Sequence, residues 1–241
     1  MKIFFYNFFK RILDLIVSIL GLLILSPIML IIFILQVLVY KGKIFFNQKR
    51  VGLNGKIFRV YKFKTMNDKK DKNGILLPDN KRVTKIGKFL RTFSLDELPQ
   101  IFNIISGTMS VVGPRPQSIE VCLFMSPEQF NRHKVKPGLT GLSAIRGRNG
   151  ISWKKKIQYD LEYIERMNIF LDIKIIIITA IKVIIKENVF SEGNLAAITL
   201  GEELYKSQSI TKDVYEKRHQ KLRDMNSKKV FDQKDLITNN E

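Results

Sequence analysis

The stretch ILDLIVSILGLLILSPIMLIIFILQVLVY, residues 12–40, decides how the rest of the chain is read. It is nearly continuous apolar sequence, interrupted by Asp14, Ser18, Ser26-Pro27 and Gln36. As one straight helix it would be roughly 43 Å long, more than a hydrocarbon core of ~30 Å requires. Pro27 removes one helix hydrogen bond and crowds the preceding turn, which predicts a kink or break there and two arms too short to span alone. Lys10 and Arg11 precede the segment, and Lys41, Lys43, Lys49 and Arg50 follow it. Cations at both ends favour the cytoplasmic side for both. A kinked, re-entrant helix-hairpin over residues 1–40 meets that demand. A plain transmembrane anchor is the commoner form of such a run but leaves one cationic end on the wrong side. No shorter apolar core with a small-residue cleavage site marks a secretory leader.

The 241 residues suffice for one domain with a sizeable core plus attachments. Lys and Arg total 41 against 22 acidic residues, a net charge of +19. That excess calls for an anionic partner: nucleic acid, an anionic leaflet or a phosphorylated substrate. No stacking-aromatic pattern or known nucleic-acid module accompanies the charge, and nucleic acid leaves the apolar start unexplained. Cys122 is the single cysteine, which excludes an internal disulfide and a cysteine metal cluster. His133 and His219 are far apart and form no HExxH motif. No Walker loop or GxGxxG is present.

Beyond the apolar run, Ile44-Phe45-Phe46 and Ile57 to Phe63 are rich in strand formers, with Asn54-Gly55 between them. This predicts a β-hairpin, decorated by Gln48, Arg50, Lys62 and Lys64. Those cations also suit a solvated basic edge. Residues 67–80 are mostly polar and read as a mobile loop. Thr84 can cap a short helix that brings Arg91 close to Ser94-Leu95-Asp96-Glu97-Leu98-Pro99-Gln100. Here two adjacent carboxylates sit in a strongly basic chain. They suit a nucleophile or metal ligand acting on an anion. Ser94-x-x-Glu97 equally fits a capping box, with Glu97 only satisfying an N–H at a helix start. Asp96 is expected at a helix N-terminus, where the dipole favours its ionised form, and Gly107 is expected to end that helix.

Met109-Ser110-Val111-Val112-Gly113-Pro114-Arg115-Pro116 then holds an arginine between two prolines. A stiffly held guanidinium suits bidentate phosphate recognition, and the same segment can be a rigid loop with an incidental arginine. Lys136 to Gly141 reads as a turn, and Arg146-Gly147-Arg148-Asn149 as a basic loop. Trp153 to Met167 reads as a helix carrying Asp160 and Tyr163. Ile169 to Lys186 is aliphatic, interrupted by Asp172, Lys174, Lys182 and Lys186. It suits an amphipathic helix at a membrane interface or a core helix with a solvated lysine stripe. Residues 201–241 look polar and prone to fray, with a weak helical face at Val214, Leu222 and Met225 and a solvated His219.

These blocks, taken in order, resemble the monotopic phosphoglycosyl transferases, bacterial sugar transferases that start glycan assembly on polyprenyl phosphate. The resemblance rests on Lys10-Arg11 with Asp14, Ser26-Pro27, Phe45-Phe46-x-Gln48-x-Arg50-x-Gly52, and Gly55-Lys56-x-Phe58. It continues through Lys62 to Met66, Ser94 to Gln100, Met109 to Pro116, Pro137 to Gly141 and Gly147-Arg148-Asn149. It covers about residues 8–195. The chain departs from the family pattern at Lys64, where arginine is usual, and at Ala144 and Arg146, where glutamine and asparagine are usual. These departures bear on nucleotide or sugar preference more than on the chemistry.

The resemblance implies an α+β fold: a re-entrant membrane helix-hairpin (1–40), a small, mostly helical catalytic domain with a β-hairpin and amphipathic interfacial helices (41–200), and a polar C-terminal extension (201–241). It implies that Asp96 attacks the β-phosphate of a UDP-sugar and that polyprenyl (undecaprenyl) phosphate then displaces it. Asp96 is the expected Mg²⁺ ligand, with Glu97 assisting. Lys62, Arg91, Arg115 and Arg148 are candidates to hold phosphates, and Asp160 matches a family position. Ser191-Glu192-Gly193 hints at an N-acetylated hexosamine derivative as the sugar. The expected location is the cytoplasmic face of the bacterial inner membrane, among membrane lipids, with downstream glycosyltransferases as possible partners. The alternative is a non-catalytic basic membrane-associated scaffold, which leaves the carboxylate pair and Pro114-Arg115-Pro116 without a role.

Overall fold

A computed structural model describes residues 2–147, 150–185 and 198–227. Arg148, Lys186 and the 191–193 segment lie outside the described residues. In chain order the elements are α1 (Lys2–Tyr40), β1 (Phe45–Val51), β2 (Ile57–Phe63), α2 (Asp79–Arg82), α3 (Lys85–Thr92), α4 (Gln100–Ile105), β3 (Ser110–Val112), α5 (Ile119–Leu123) and α6 (Pro127–Phe130). Then come β4 (Gly138–Thr140), α7 (Leu142–Arg146), α8 (Trp153–Arg166), α9 (Ile169–Ile184), α10 (Leu200–Lys206) and α11 (Lys212–Ser227). The fold is α+β, mostly helical.

Helix α1 is one element of 39 residues with Pro27 inside it, and no break separates two helices there. The reason is local. Proline cannot bond the carbonyl of Leu23, and the Ser26 hydroxyl donates to that carbonyl instead, at 2.9 Å. The acceptor keeps a partner and the helix runs on. Its faces are inverted relative to a soluble helix. Asp14, Ser18, Ile32 and Gln36 are buried against the body, on one face at helical spacing. Leu23, Ile24, Leu30, Ile31 and Leu38 lie outward, 59–72% exposed. An apolar stripe of that length facing away from the protein calls for a non-aqueous neighbour.

Both ends of α1 are fastened to the same body. Near its start, Lys10 Nζ lies 2.8 Å from Asp172 of α9, and Tyr6 donates to the same oxygen at 3.0 Å. Tyr163 of α8 donates to the other Asp172 oxygen at 2.7 Å. Asp14 accepts from the Ser110 hydroxyl and the Val111 N–H. Arg11 donates to the carbonyls of Ile104 and Ile105, so a cation occupies the C-terminus of α4. Near the other end, Gln36 donates to the Lys64 carbonyl, and Tyr40 shares a hydrogen bond with Thr84.

The expected hairpin forms. β1 and β2 pair antiparallel from Phe45↔Phe63 to Val51↔Ile57. Asn54 and Gly55 both take positive φ in the connection, as the tight turn requires. The segment 136–141 is more than the expected turn, because β4 within it pairs in parallel with β3. Gly138 permits this: a Cβ there would lie 2.1 Å from the Gly113 nitrogen. The loop of 67–80 also has more order than expected, with a bridge between Lys70 and Leu76.

The C-terminal reading is corrected for residues 200–227. α10 and α11 pack on α5, burying Leu200 and Met225 in the cluster that holds Val121, Leu123 and Phe124. His219 is not simply solvated. Its ring lies 4.4 Å from that of Tyr215 and 5.5 Å from that of Phe124. Arg218, which interrupts the apolar pattern in sequence, lies over the Phe124 ring. On α9, Asp172 faces inward and is fully buried, while Phe170, Ile173, Ile177, Ile181 and Ile184 form an exposed apolar stripe.

Candidate active site

A cavity of about 500 Å³ opens between the β-hairpin, the turn before α4, the Pro114-Arg115-Pro116 segment and α7–α8. Lys62, Arg91, Asp96, Glu97, Arg115 and Asp160 all line it. Each reaches the cavity by a different route. Lys62 is carried on β2. Arg91 comes from α3, whose N-terminus is capped by Thr84 accepting from Gly87 N–H, as the sequence indicates. α3 can sit this close because Gly87 has no side chain; a Cβ there would lie 1.9 Å from the Thr65 carbonyl oxygen. Arg91 Nε then donates to the Thr65 hydroxyl at 2.9 Å.

Asp96 and Glu97 lie in a 3₁₀ turn, Leu95–Glu97, ahead of α4. Ser94 has φ 55° and makes no cap hydrogen bond through its side chain. The capping-box reading is therefore overturned: an N-cap needs extended backbone, and Ser94 is left-handed. Glu97 is instead the hub of two ion pairs, 2.6 Å to Lys62 Nζ and 2.5 Å to Arg115 Nη2. Burial alone would raise its pKa, but Arg115 and Lys62 outweigh that and hold the carboxyl well below the usual range. Asp96 differs. Among the described residues it carries no hydrogen bond or ion pair. Burial and the adjacent Glu97 charge push its pKa up, to about 6, against the pull of Lys62, Arg91 and Arg115. One carboxylate organises two cations; the other lines the cavity with no ion pair among the described residues.

Asp160 is present but engaged. Its carboxylate accepts from Arg132 Nη2 at 2.5 Å and from the Ser143 hydroxyl at 2.9 Å. Sequence reasoning passed over Arg132, and it placed Thr65 and Gln48 only within the ordered blocks, without a role at the site. Arg132 sits in an otherwise unmarked polar run, and only its burial at 2% exposure gives it away. Gln48, one of the residues in the ordered blocks, lines the cavity and accepts from Arg50 at 2.6 Å. Two of the departures from the family pattern, Lys64 and Ala144, line the cavity too, whereas Arg146 turns outward to pair with Glu162.

The donor set limits how a metal could be held. Among the described residues no group of three or more His, Cys, Asp or Glu converges on one point. An ion caged wholly by such side chains of the described residues does not fit. A magnesium ion shared between one carboxylate, substrate phosphates and water does, and Asp96 has the oxygens for it.

Residues 5–186 match the family model described as bacterial sugar transferase. An uncharacterized sugar transferase, EpsL of Bacillus subtilis (strain 168), is 43% identical over 188 residues, 78% of this chain and 93% of that protein. The UDP-glucose:undecaprenyl-phosphate glucose-1-phosphate transferase of Klebsiella pneumoniae is 43% identical over 192 residues, 76% of this chain. This chain spans 41% of that longer relative. The exopolysaccharide production protein ExoY of Sinorhizobium fredii (strain NBRC 101917 / NGR234) is 37% identical over 185 residues, 69% of this chain and 81% of that protein. With the match running through the apolar helix, the carboxylate pair and Pro114-Arg115-Pro116, the chain belongs to the bacterial sugar transferases, the phosphoglycosyl transferase enzymes.

Proposed function

We propose that this enzyme moves a phosphosugar from a UDP-hexose to polyprenyl phosphate, releasing UMP, at the start of surface-glycan assembly. One observation carries the reading. A desolvated carboxylate, Asp96, with no ion pair among the described residues, faces a cavity ringed by Lys62, Arg91 and Arg115, while its neighbour Glu97 holds two of those cations in place. An Asp96 oxygen attacks the β-phosphorus of the donor. The bond from that phosphorus to the oxygen bridging the α-phosphate breaks, and UMP leaves with that oxygen. An oxygen of the polyprenyl phosphate then attacks the same phosphorus and displaces Asp96, giving polyprenyl-diphosphate sugar. Splitting the transfer in this way exchanges one difficult displacement for two easier ones.

Lys62, Arg91 and Arg115 stabilise the charge that builds on the phosphoryl oxygens. Arg148 is a further candidate from the sequence. Bound magnesium, held by Asp96 and the donor diphosphate, would neutralise phosphate charge and polarise the phosphoryl group. Glu97, kept ionised by its two partners, orients them rather than taking up a proton.

The acceptor is lipid-borne, and the inverted polarity of α1 and the apolar stripe on α9 support a body seated on a bilayer. That both ends of α1 bind the same body supports a re-entrant topology, with both ends on the cytoplasmic face of the inner membrane. The Klebsiella pneumoniae relative is named for UDP-glucose as its donor, whereas residues 191–193 hint at an N-acetylated hexosamine. UMP release, measured across UDP-glucose, UDP-galactose, UDP-N-acetylglucosamine and a UDP-diacetamido sugar with undecaprenyl phosphate, identifies the donor. Release dependent on both lipid and Mg²⁺ supports the reading; no release from any of the four sinks it.

A further inference from the structure

Arg115 reaches into the cavity from a segment with little means of holding itself. Proline flanks it on both sides, so neither neighbour has an N–H to anchor the backbone. The segment is held through its carbonyls instead. Pro114 O accepts from Gly138 N–H at 2.9 Å, and Gln117 O accepts from Val51 N–H at 3.0 Å. The carbonyl of Arg115 itself accepts from a side chain, Arg132 Nη2, at 2.8 Å.

Arg132 is an expensive choice for that task. It is 2% exposed, and a buried guanidinium needs a counter-charge. Asp160, also 2% exposed, supplies it. Arg132 Nε and Nη2 both donate to Asp160 Oδ2, at 3.0 and 2.5 Å. The Ser143 hydroxyl fixes Oδ1 at 2.9 Å. The chain of contacts runs from α7 and α8, through Arg132, to the Arg115 backbone. From there the Arg115 side chain continues it to Glu97 and Lys62. A buried pair with no further duty could be replaced by apolar residues at little loss. This one carries a third bond, directed at the backbone of a cavity arginine.

We infer that Arg132, locked by Asp160 and Ser143, is a positioning residue that sets the Arg115 guanidinium for the donor diphosphate. This rests on the function proposed above and deepens it. Asp160, expected from the sequence to contact substrate, becomes a holder of Arg132. A purely structural pair would affect every activity of the fold equally, whereas a positioning pair acts only while Arg115 is there to be positioned.

The test is a comparison of backgrounds. Arg132→Met with Asp160→Asn removes both charges, so neither is left buried alone. It is introduced into the native chain and into Arg115→Ala, and UMP release at saturating donor is followed for all four proteins. In the native background a loss of about 10- to 100-fold is expected, the scale on which small misplacements act. In the Arg115→Ala background the same change is expected to alter the rate by less than about twofold, because independent sites multiply and coupled ones do not. Equal fold-losses in the two backgrounds overturn the inference. Ser143→Ala, which leaves the charge pair intact, gives the same comparison on a smaller scale if the double change prevents folding. Affinity for Mg²⁺-UDP, measured alongside, separates the two readings. If no UDP-sugar yields UMP, the proposed function fails, and the same background dependence is then read on UDP affinity.

Discussion

Lys62 Nζ and Arg115 Nη2 meet at a single oxygen of Glu97, at 2.6 and 2.5 Å, although the two cations come from separate elements, β2 and the segment between Pro114 and Pro116. A β-strand and a proline-locked loop are thereby joined across the site by one carboxylate. Asp96, one residue earlier, is left unpaired among the described residues. The division of labour within the pair gives the first predictions.

Asp96→Asn is expected to reduce UMP release by more than about 1,000-fold, since an amide cannot form the acyl-phosphate link. Activity near that of the native protein would remove Asp96 as the nucleophile. In the native enzyme, kcat/KM should climb with pH and level off above an inflection near pH 6, following ionisation of Asp96.

The same variant should be more stable than the native protein at neutral pH. Asp96 has a folded-state pKa of about 6, above its ordinary value of 3.8, so its contribution to stability is complete below about pH 4 and is lost as pH rises through 6. Melting temperatures in detergent should therefore converge near pH 4 and separate above pH 6, with Asp96→Asn the higher. The opposite ordering at pH 7 would contradict the burial of an uncompensated charge.

Glu97→Gln should lower turnover by about 10- to 100-fold, on the scale of groups that orient catalytic partners. The affected quantity should be kcat more than donor affinity, because both cations remain but lose their common anchor. A near-native rate would reduce Glu97 to a bystander.

Topology can be read with single cysteines. In a Cys122→Ser background, cysteines at Lys2 and Lys43 should both react with an impermeant thiol reagent only when it is supplied from the cytoplasmic side. Opposite sidedness would mean that α1 crosses the bilayer.

Gly201→Ala tests the seating of the C-terminal helices. The added Cβ would come within 2.7–2.9 Å of the buried Phe124 ring. An overpacking penalty of about 1–3 kcal/mol is expected, seen as a lower melting temperature with unchanged UMP release per folded enzyme.

The hairpin, α3, α8 and the cavity cations were legible because each has a local cause: strand formers about an Asn-Gly turn, a threonine cap, a helical period. At Ser26-Pro27 the helix is not broken because the Ser26 hydroxyl donates to the carbonyl that proline cannot bond, a repair that the sequence shows only as an interruption. Asp14, Ser18 and Gln36 looked like flaws in an apolar run. Their shared face was present in the spacing, but only the body they dock against explains why polar groups point inward. α10 was missed and α11 showed only as a weak helical face because few apolar residues anchor them, and two of the contacts use Arg218 and His219 against aromatic rings. Arg132 left no local trace, since its role depends on Asp160, 28 residues away.

The fastening of α1 at both ends bears on how a water-soluble donor and a lipid-borne acceptor are brought together. A body hung from one end of a helix would sweep a volume above the lipid, and its site would find each acceptor by a three-dimensional search. Bonds from Tyr6, Lys10, Arg11 and Asp14 at one end, and from Gln36 and Tyr40 at the other, remove that freedom. On the proposed reading, the height of Asp96 above the bilayer is then a fixed dimension of the molecule. A polyprenyl phosphate has only to diffuse sideways to arrive at it, and the helix serves as a gauge as much as an anchor.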